Sequence, residues 1–158
     1  MRSLSFLSLL FALTMASGAA RASDSHAGYY YPEPTSRETY TASMAQGPSA
    51  SKRSRVGFTV GINKTQQKRG YAPRYHIFAK GADAQKLIIV GTGSSDYNTL
   101  FRLRALMASL TADARATPLF ANMPEPENLN FLDLCKLIGF TQVTVSDGDT
   151  LAHRIDIR

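Results

Sequence analysis

The stretch KLIIVGTGSSD, Lys86 to Asp96, is where the sequence comes nearest to spelling out a chemistry. An apolar run leads into Gly91-Thr92-Gly93 and a periodic apolar stripe follows, the order in which a phosphate-binding loop is built. Such a loop needs glycines so that the backbone can approach the phosphate, and a helix N-terminus to stabilise its charge. Only the first two glycines of a G-x-G-x-x-G pattern are present. Asp96 holds the third place with a carboxylate that repels phosphate, and no Lys-Ser/Thr pair closes the loop. The stretch is therefore expected to be a glycine turn running into a helix cap at Ser95 or Asp96, and no cofactor is assigned to it.

Other reactive residues are few. His26, His76 and His153 show no H-x-x-x-H spacing, and one cysteine, Cys135, excludes both C-x-x-C and an intrachain disulfide, so no metal is expected. Ser94, Ser95 and Ser146 stand in turn-like settings, none within G-x-S-x-G, and the sequence places no base beside them. Cys135 sits in a segment apolar on most sides, where a thiol packs rather than reacts. His153 shares the apolar side of its strand and is expected to be a core or rim residue. No catalytic residue is assigned.

The elements that would position these groups follow from hydrophobic period and turn chemistry. Val56, Phe58, Val60 and Ile62 alternate with smaller or polar residues and predict a strand. RYHIFAKG and KLIIVG predict two more, close enough to form an antiparallel hairpin. Leu100, Leu103, Met107 and Leu110 make one stripe of a helix over 96–116, and a second, well-buried helix is expected over 127–138, ending at Gly139. QVTVS and LAHRIDI flank Asp147-Gly148-Asp149 and predict a closing hairpin. The order β-β-β-α-α-β-β implies an α+β fold, an antiparallel sheet of about five strands with two helices packed on one face.

The first 54 residues are of a different kind. Arg2, the apolar run Leu4 to Met15 and the sequence Ala20-Arg21-Ala22 form a signal-peptide pattern, so residues 1–22 are expected to be removed before Ser23, leaving no stable membrane span. Residues 23–54, rich in Ser, Thr, Pro, Gly and Ala, are expected to form a flexible arm, with 55–158 a single α+β domain. Tyr29, Tyr30 and Tyr31 break the polarity of the arm and could dock on the domain or on a partner. The formal charge of +6 falls to about +4 without Arg2 and Arg21, mild enough that no nucleic-acid partner is expected. Asn63-Lys64-Thr65 matches a glycosylation sequon, which matters only in a eukaryotic secretory pathway.

If the helices cover the face bearing Val56, Phe58, Val60, Ile62, Ile155 and Ile157, the other face carries Arg55, Thr59, Arg154, Asp156 and Arg158. The second strand adds Arg74, His76 and Lys80. Arg74, His76, Lys80, Arg154 and Arg158 are thus the candidate surface for an anionic ligand or an acidic envelope partner, the alternative being the solvated side of a one-sided sheet.

The segments HAGYYYPEP with YTA beyond it, RYHIFAKGADAQKLIIV, TPLF and LIGFTQVTVSDGDTLAHRIDI resemble a family of small exported bacterial proteins of unknown function. Some of its members carry the label molybdopterin-guanine dinucleotide biosynthesis protein A, which implies a nucleotidyltransferase using GTP. The glycine-rich loop that such an enzyme holds near its N-terminus has no counterpart at that place here, and no catalytic residue is carried over. The resemblance implies a bacterial source and a periplasmic or envelope address. Three roles stay open: a non-enzymatic binding or accessory module, which the missing catalytic motifs favour; a small enzyme of the labelled kind; and an assembly role through the tyrosine-rich arm.

Overall fold

A computed structural model describes residues 33–93, 96–121, 123 and 125–158. The expected signal peptide and the cluster Tyr29, Tyr30 and Tyr31 lie outside the described residues. The elements run β1 Ser36–Tyr40, α1 Lys52–Gln67, β2 Tyr75–Lys80, β3 Lys86–Gly91, α2 Leu100–Arg115, α3 Phe131–Leu137, β4 Gln142–Ser146 and β5 Ala152–Ile157. The class is α+β, with one five-stranded sheet in the order β1-β5-β4-β3-β2.

The sheet is mixed rather than antiparallel. The hairpins β2–β3 and β4–β5 are antiparallel, while β3 pairs with β4 and β1 with β5 in parallel. The connection from β3 through α2 and α3 to β4 has the length that a parallel crossover needs, and it runs over one face of the sheet.

Two expectations about elements are corrected. The segment Val56–Ile62 is not a strand but lies in α1. Its buried residues, Arg55, Phe58, Thr59, Ile62 and Gln66, fall at helical spacing, whereas Val56 and Val60 are 42% and 45% exposed. Ser51 starts the helix: its hydroxyl accepts from the Ser54 amide while the Ser54 hydroxyl accepts from the Ser51 amide. Secondly, the segment expected as an arm supplies β1, whose partner is β5, and the start of α1. Ser36, Glu38 and Tyr40 alternate inward with Arg37 and Thr39 outward, a strand pattern written in polar residues.

Phe58 and Ile62 of α1, Leu103, Leu106 and Leu110 of α2, and Phe131, Leu134 and Cys135 of α3 form one core with Ile77, Leu87, Ile89, Val143, Val145 and Ile155 of the sheet. All three helices thus pack on the same face. Two buried carboxylates tie the layers. Asp113 of α2 accepts from Gln66 Nε2 at 2.7 Å, from the Tyr75 hydroxyl and from the Arg69 guanidinium. Asp133 of α3 accepts from the Tyr40 hydroxyl at 3.1 Å and the Ser43 amide at 2.9 Å, anchoring the end of β1. Each joins parts of the chain that no local preference brings together.

Candidate functional site

The five residues expected to form one basic surface do not converge. Lys80 lies six residues from Arg74 along β2, about 20 Å at strand rise. Arg154 sits on β5, three strands from β2 and about 14 Å away at ordinary strand spacing. Its guanidinium is committed to Asp156, at 2.9 and 2.8 Å. Arg158 follows β5, and its amide donates to Tyr40 at 2.9 Å. His76 and Lys80 do share the helix-free face with Arg154. Arg55 and Thr59, expected there too, are on the buried side of α1. Arg55 donates to the carbonyls of Asp83, Ile138 and Gly139, and the Thr59 hydroxyl donates to Val56.

Of the five, Arg74 lines a concave site. It lines a cleft of about 530 Å³ with Asp96, Tyr97, Arg102 and Ser109. A shallower recess continues past Pro73, Thr92 and Gly93. The glycine turn builds this site. The Thr92 amide donates to Arg74 at 3.0 Å and its hydroxyl to Pro73 at 2.5 Å, so the turn is stapled to the backbone that carries Arg74. Gly91 is buried against the Tyr97 ring, where a Cβ would stand 2.3 Å from Cδ2. At Gly93 a Cβ would meet Asp96 Oδ2 at 2.9 Å. These glycines therefore admit neighbouring side chains of the same loop. The helix cap falls at Thr99, whose hydroxyl accepts from the Arg102 amide at 3.3 Å, and not at Ser95 or Asp96.

The electrostatics of the cleft are asymmetric. No partner among the described residues holds the exposed Arg74 guanidinium. Arg102 Nη1 donates to Asn98 at 3.2 Å, and Asp96 supplies the one carboxylate of the lining. The arrangement suits a planar monoanion beside Arg74 better than a phosphate, whose larger charge Asp96 would repel more strongly.

A second cluster escaped the sequence reading because its members are 117 residues apart. Ser36 and His153 are directly opposite on β1 and β5, with Ser36 Oγ 2.8 Å from His153 Nδ1. Glu38 Oε1 stands 3.1 Å from Nε2, although the direction is not that of a hydrogen bond, and its other oxygen takes the Arg104 guanidinium. Burial raises the Glu38 pKa, but the adjacent His153 imidazole and Arg104 guanidinium outweigh it and hold the carboxyl below the ordinary value. The histidine is 2% exposed, as expected of a core residue. The trio pins the edge strand β1 to β5 and α2.

Cys135 is fully buried and burial pushes its thiol well above the ordinary value, which suits packing and not nucleophilic attack. Asn63 is equally committed. Its amide donates to the Ile77 carbonyl at 2.9 Å and accepts from the Ile77 amide at 3.2 Å, closing the outer edge of β2. The sequon at Asn63 is therefore occupied by structure. Among the described residues no group of three or more His, Cys, Asp or Glu could hold a metal, and no helix is long and apolar enough to cross a membrane.

No family model, curated protein or solved structure matches the chain.

Proposed function

We propose that this protein is an exported binding or accessory module of the cell envelope, and that it takes a carboxylate of its ligand or partner in the cleft beside Arg74. The observation that carries this reading is the Arg74 guanidinium, which lines the cleft without a partner among the described residues. A guanidinium offers five N–H donors in a planar fork that matches a carboxylate. The turn Gly91-Thr92-Gly93 fixes its backbone, so the donor is positioned before the ligand arrives. Export rests on the N-terminal pattern, with its apolar run Leu4 to Met15 and Ala20-Arg21-Ala22.

The test pairs two measurements. Capture from envelope extract, read by mass spectrometry, should retain a partner on the native protein and lose it with Arg74→Glu at an unchanged unfolding midpoint. Retention by the variant overturns the assignment of the cleft. N-terminal sequencing of the protein made in its own cells should begin at Ser23, and a chain still carrying Met1 overturns export. Saturable GTP binding that survives Arg74→Glu would favour the nucleotidyltransferase reading.

A further inference from the structure

The Arg74 cleft carries two open charges of opposite sign, and a carboxylate ligand engages only one of them. Arg74 and Asp96 are both exposed, and both line the cleft and the shallower recess beside it. Neither side chain is held by a partner among the described residues, and the two are not paired with each other. Arg102, the second cation of the lining, is engaged elsewhere, its Nη1 donating to Asn98 at 3.2 Å.

The backbone explains why the two charges stand side by side. The Thr92 amide donates to the Arg74 carbonyl at 3.0 Å, so the arginine starts from a point fixed against the glycine turn. The Asp96 amide donates to the Gly93 carbonyl at 2.9 Å, which folds the chain back on the next residue. The Asp96 carboxylate then lies over Gly93: a Cβ there would stand 2.9 Å from Oδ2. Thr92 and Gly93 are consecutive, about 3.8 Å apart at their Cα atoms. One short turn therefore anchors a cation through one residue and an anion through the next.

A simple carboxylate meets half of this site. It gains the Arg74 guanidinium but brings negative charge towards Asp96. A simple cation has the reverse difficulty. A ligand bearing both charges is attracted at both places and repelled at neither. An α-amino acid carries its ammonium and its carboxylate on one carbon, the close spacing that two receptors on adjoining residues of a turn call for. The walls suit a small polar ligand, since Tyr97 and Leu106 are buried and offer little apolar surface, and a cleft of about 530 Å³ admits one.

We infer that the Arg74 cleft recognises a zwitterion, a free α-amino acid whose carboxylate lies on Arg74 and whose ammonium lies on Asp96. This rests on Arg74 as a carboxylate receptor and adds the second charge to it. Glycine and acetate share a carboxylate and differ in the ammonium, so their comparison isolates Asp96. In magnetic resonance titrations of the purified protein at neutral pH, followed at the Arg74 guanidinium and the amides of Thr92 and Gly93, glycine should bind about threefold or more tighter than acetate, the order an exposed ion pair adds. Asp96→Asn should abolish the difference from both sides, weakening glycine and tightening acetate, because the same carboxylate attracts the one and repels the other. The Asp96 side chain is exposed, and the comparison on the native protein stands without the variant. Acetate binding at Arg74 with glycine no tighter, or a ratio that Asp96→Asn leaves unchanged, overturns the zwitterion and leaves the carboxylate receptor standing. Saturable binding of neither ligand at Arg74 overturns both.

Discussion

Replacing Asp113 with alanine is the sharpest perturbation of the architecture. The carboxylate is buried, as are Gln66 and Tyr75, which donate to it, and Arg69 donates from a third-exposed position. Once the acceptor is gone the Tyr75 hydroxyl proton has no partner. Gln66 Nε2 keeps its bond to the Tyr75 oxygen at 2.9 Å but loses the other. One orphaned donor and one weakened amide cost about 2–4 kcal/mol at 1–3 kcal/mol for each buried group. Arg69 can turn to water and adds little. Tyr75→Phe leaves Asp113 two donors and should cost less, about 1–2 kcal/mol. The double variant should fall short of the sum because the two share one bond. Urea unfolding followed by circular dichroism at constant m-value is the assay, since the chain has no tryptophan. A cost below about 0.5 kcal/mol for Asp113→Ala would refute the reasoning. The same site sets an alkaline limit. Burial first, and Asp113 second, raise the Tyr75 phenol above its ordinary value of 10.0. Its contribution is thus complete below that value and is lost as pH rises past it, so Tyr75→Phe should flatten the alkaline limb of stability.

Asn63→Ala removes both bonds to Ile77 and should cost about 1–3 kcal/mol. It also uncovers the edge of β2, so size-exclusion chromatography should show self-association that the native protein lacks. Gly91→Ala forces a methyl into the Tyr97 ring and should cost about 1–3 kcal/mol by overpacking, read as a lowered urea midpoint. Glu38 holds its proton less tightly folded than unfolded, so its contribution is present above the ordinary value of 4.5 and is lost as pH falls below it. In acid titrations of stability, Glu38→Gln should lower the neutral plateau and remove part of the acid slope.

The two hairpins, α2 and α3 were legible because their apolar periods are clean and glycine or proline marks their ends. The first helix was not, since RVGFTVGI satisfies two periods at once. Val56 and Val60 complete a strand alternation, while Phe58, Ile62 and Gln66 complete a helical stripe, and the capping pair Ser51 and Ser54 decides for the helix. β1 was hidden for another reason: its inward residues, Ser36, Glu38 and Tyr40, satisfy His153, Arg104 and Asp133 and contribute no aliphatic signal. The parallel β3–β4 pairing was permitted by the long helical connection but not dictated by it, since a chain returning through two helices can pair in either direction. Of the candidate surface, Arg74 could be named but not isolated from His76, Lys80, Arg154 and Arg158. The cleft is made by Tyr97 and Arg102 approaching from beyond the glycine turn, and distance along the chain carries no trace of that approach.

The central claim is that Arg74 is a preset receptor for a carboxylate. Its most direct test is a nuclear magnetic resonance titration of the purified protein with acetate, a planar monoanion. Saturable shifts should appear at the Arg74 guanidinium and at the amides of Thr92 and Gly93, and should vanish in Arg74→Glu. Absence of saturable shifts at these positions, or shifts that persist in the variant, would contradict the account.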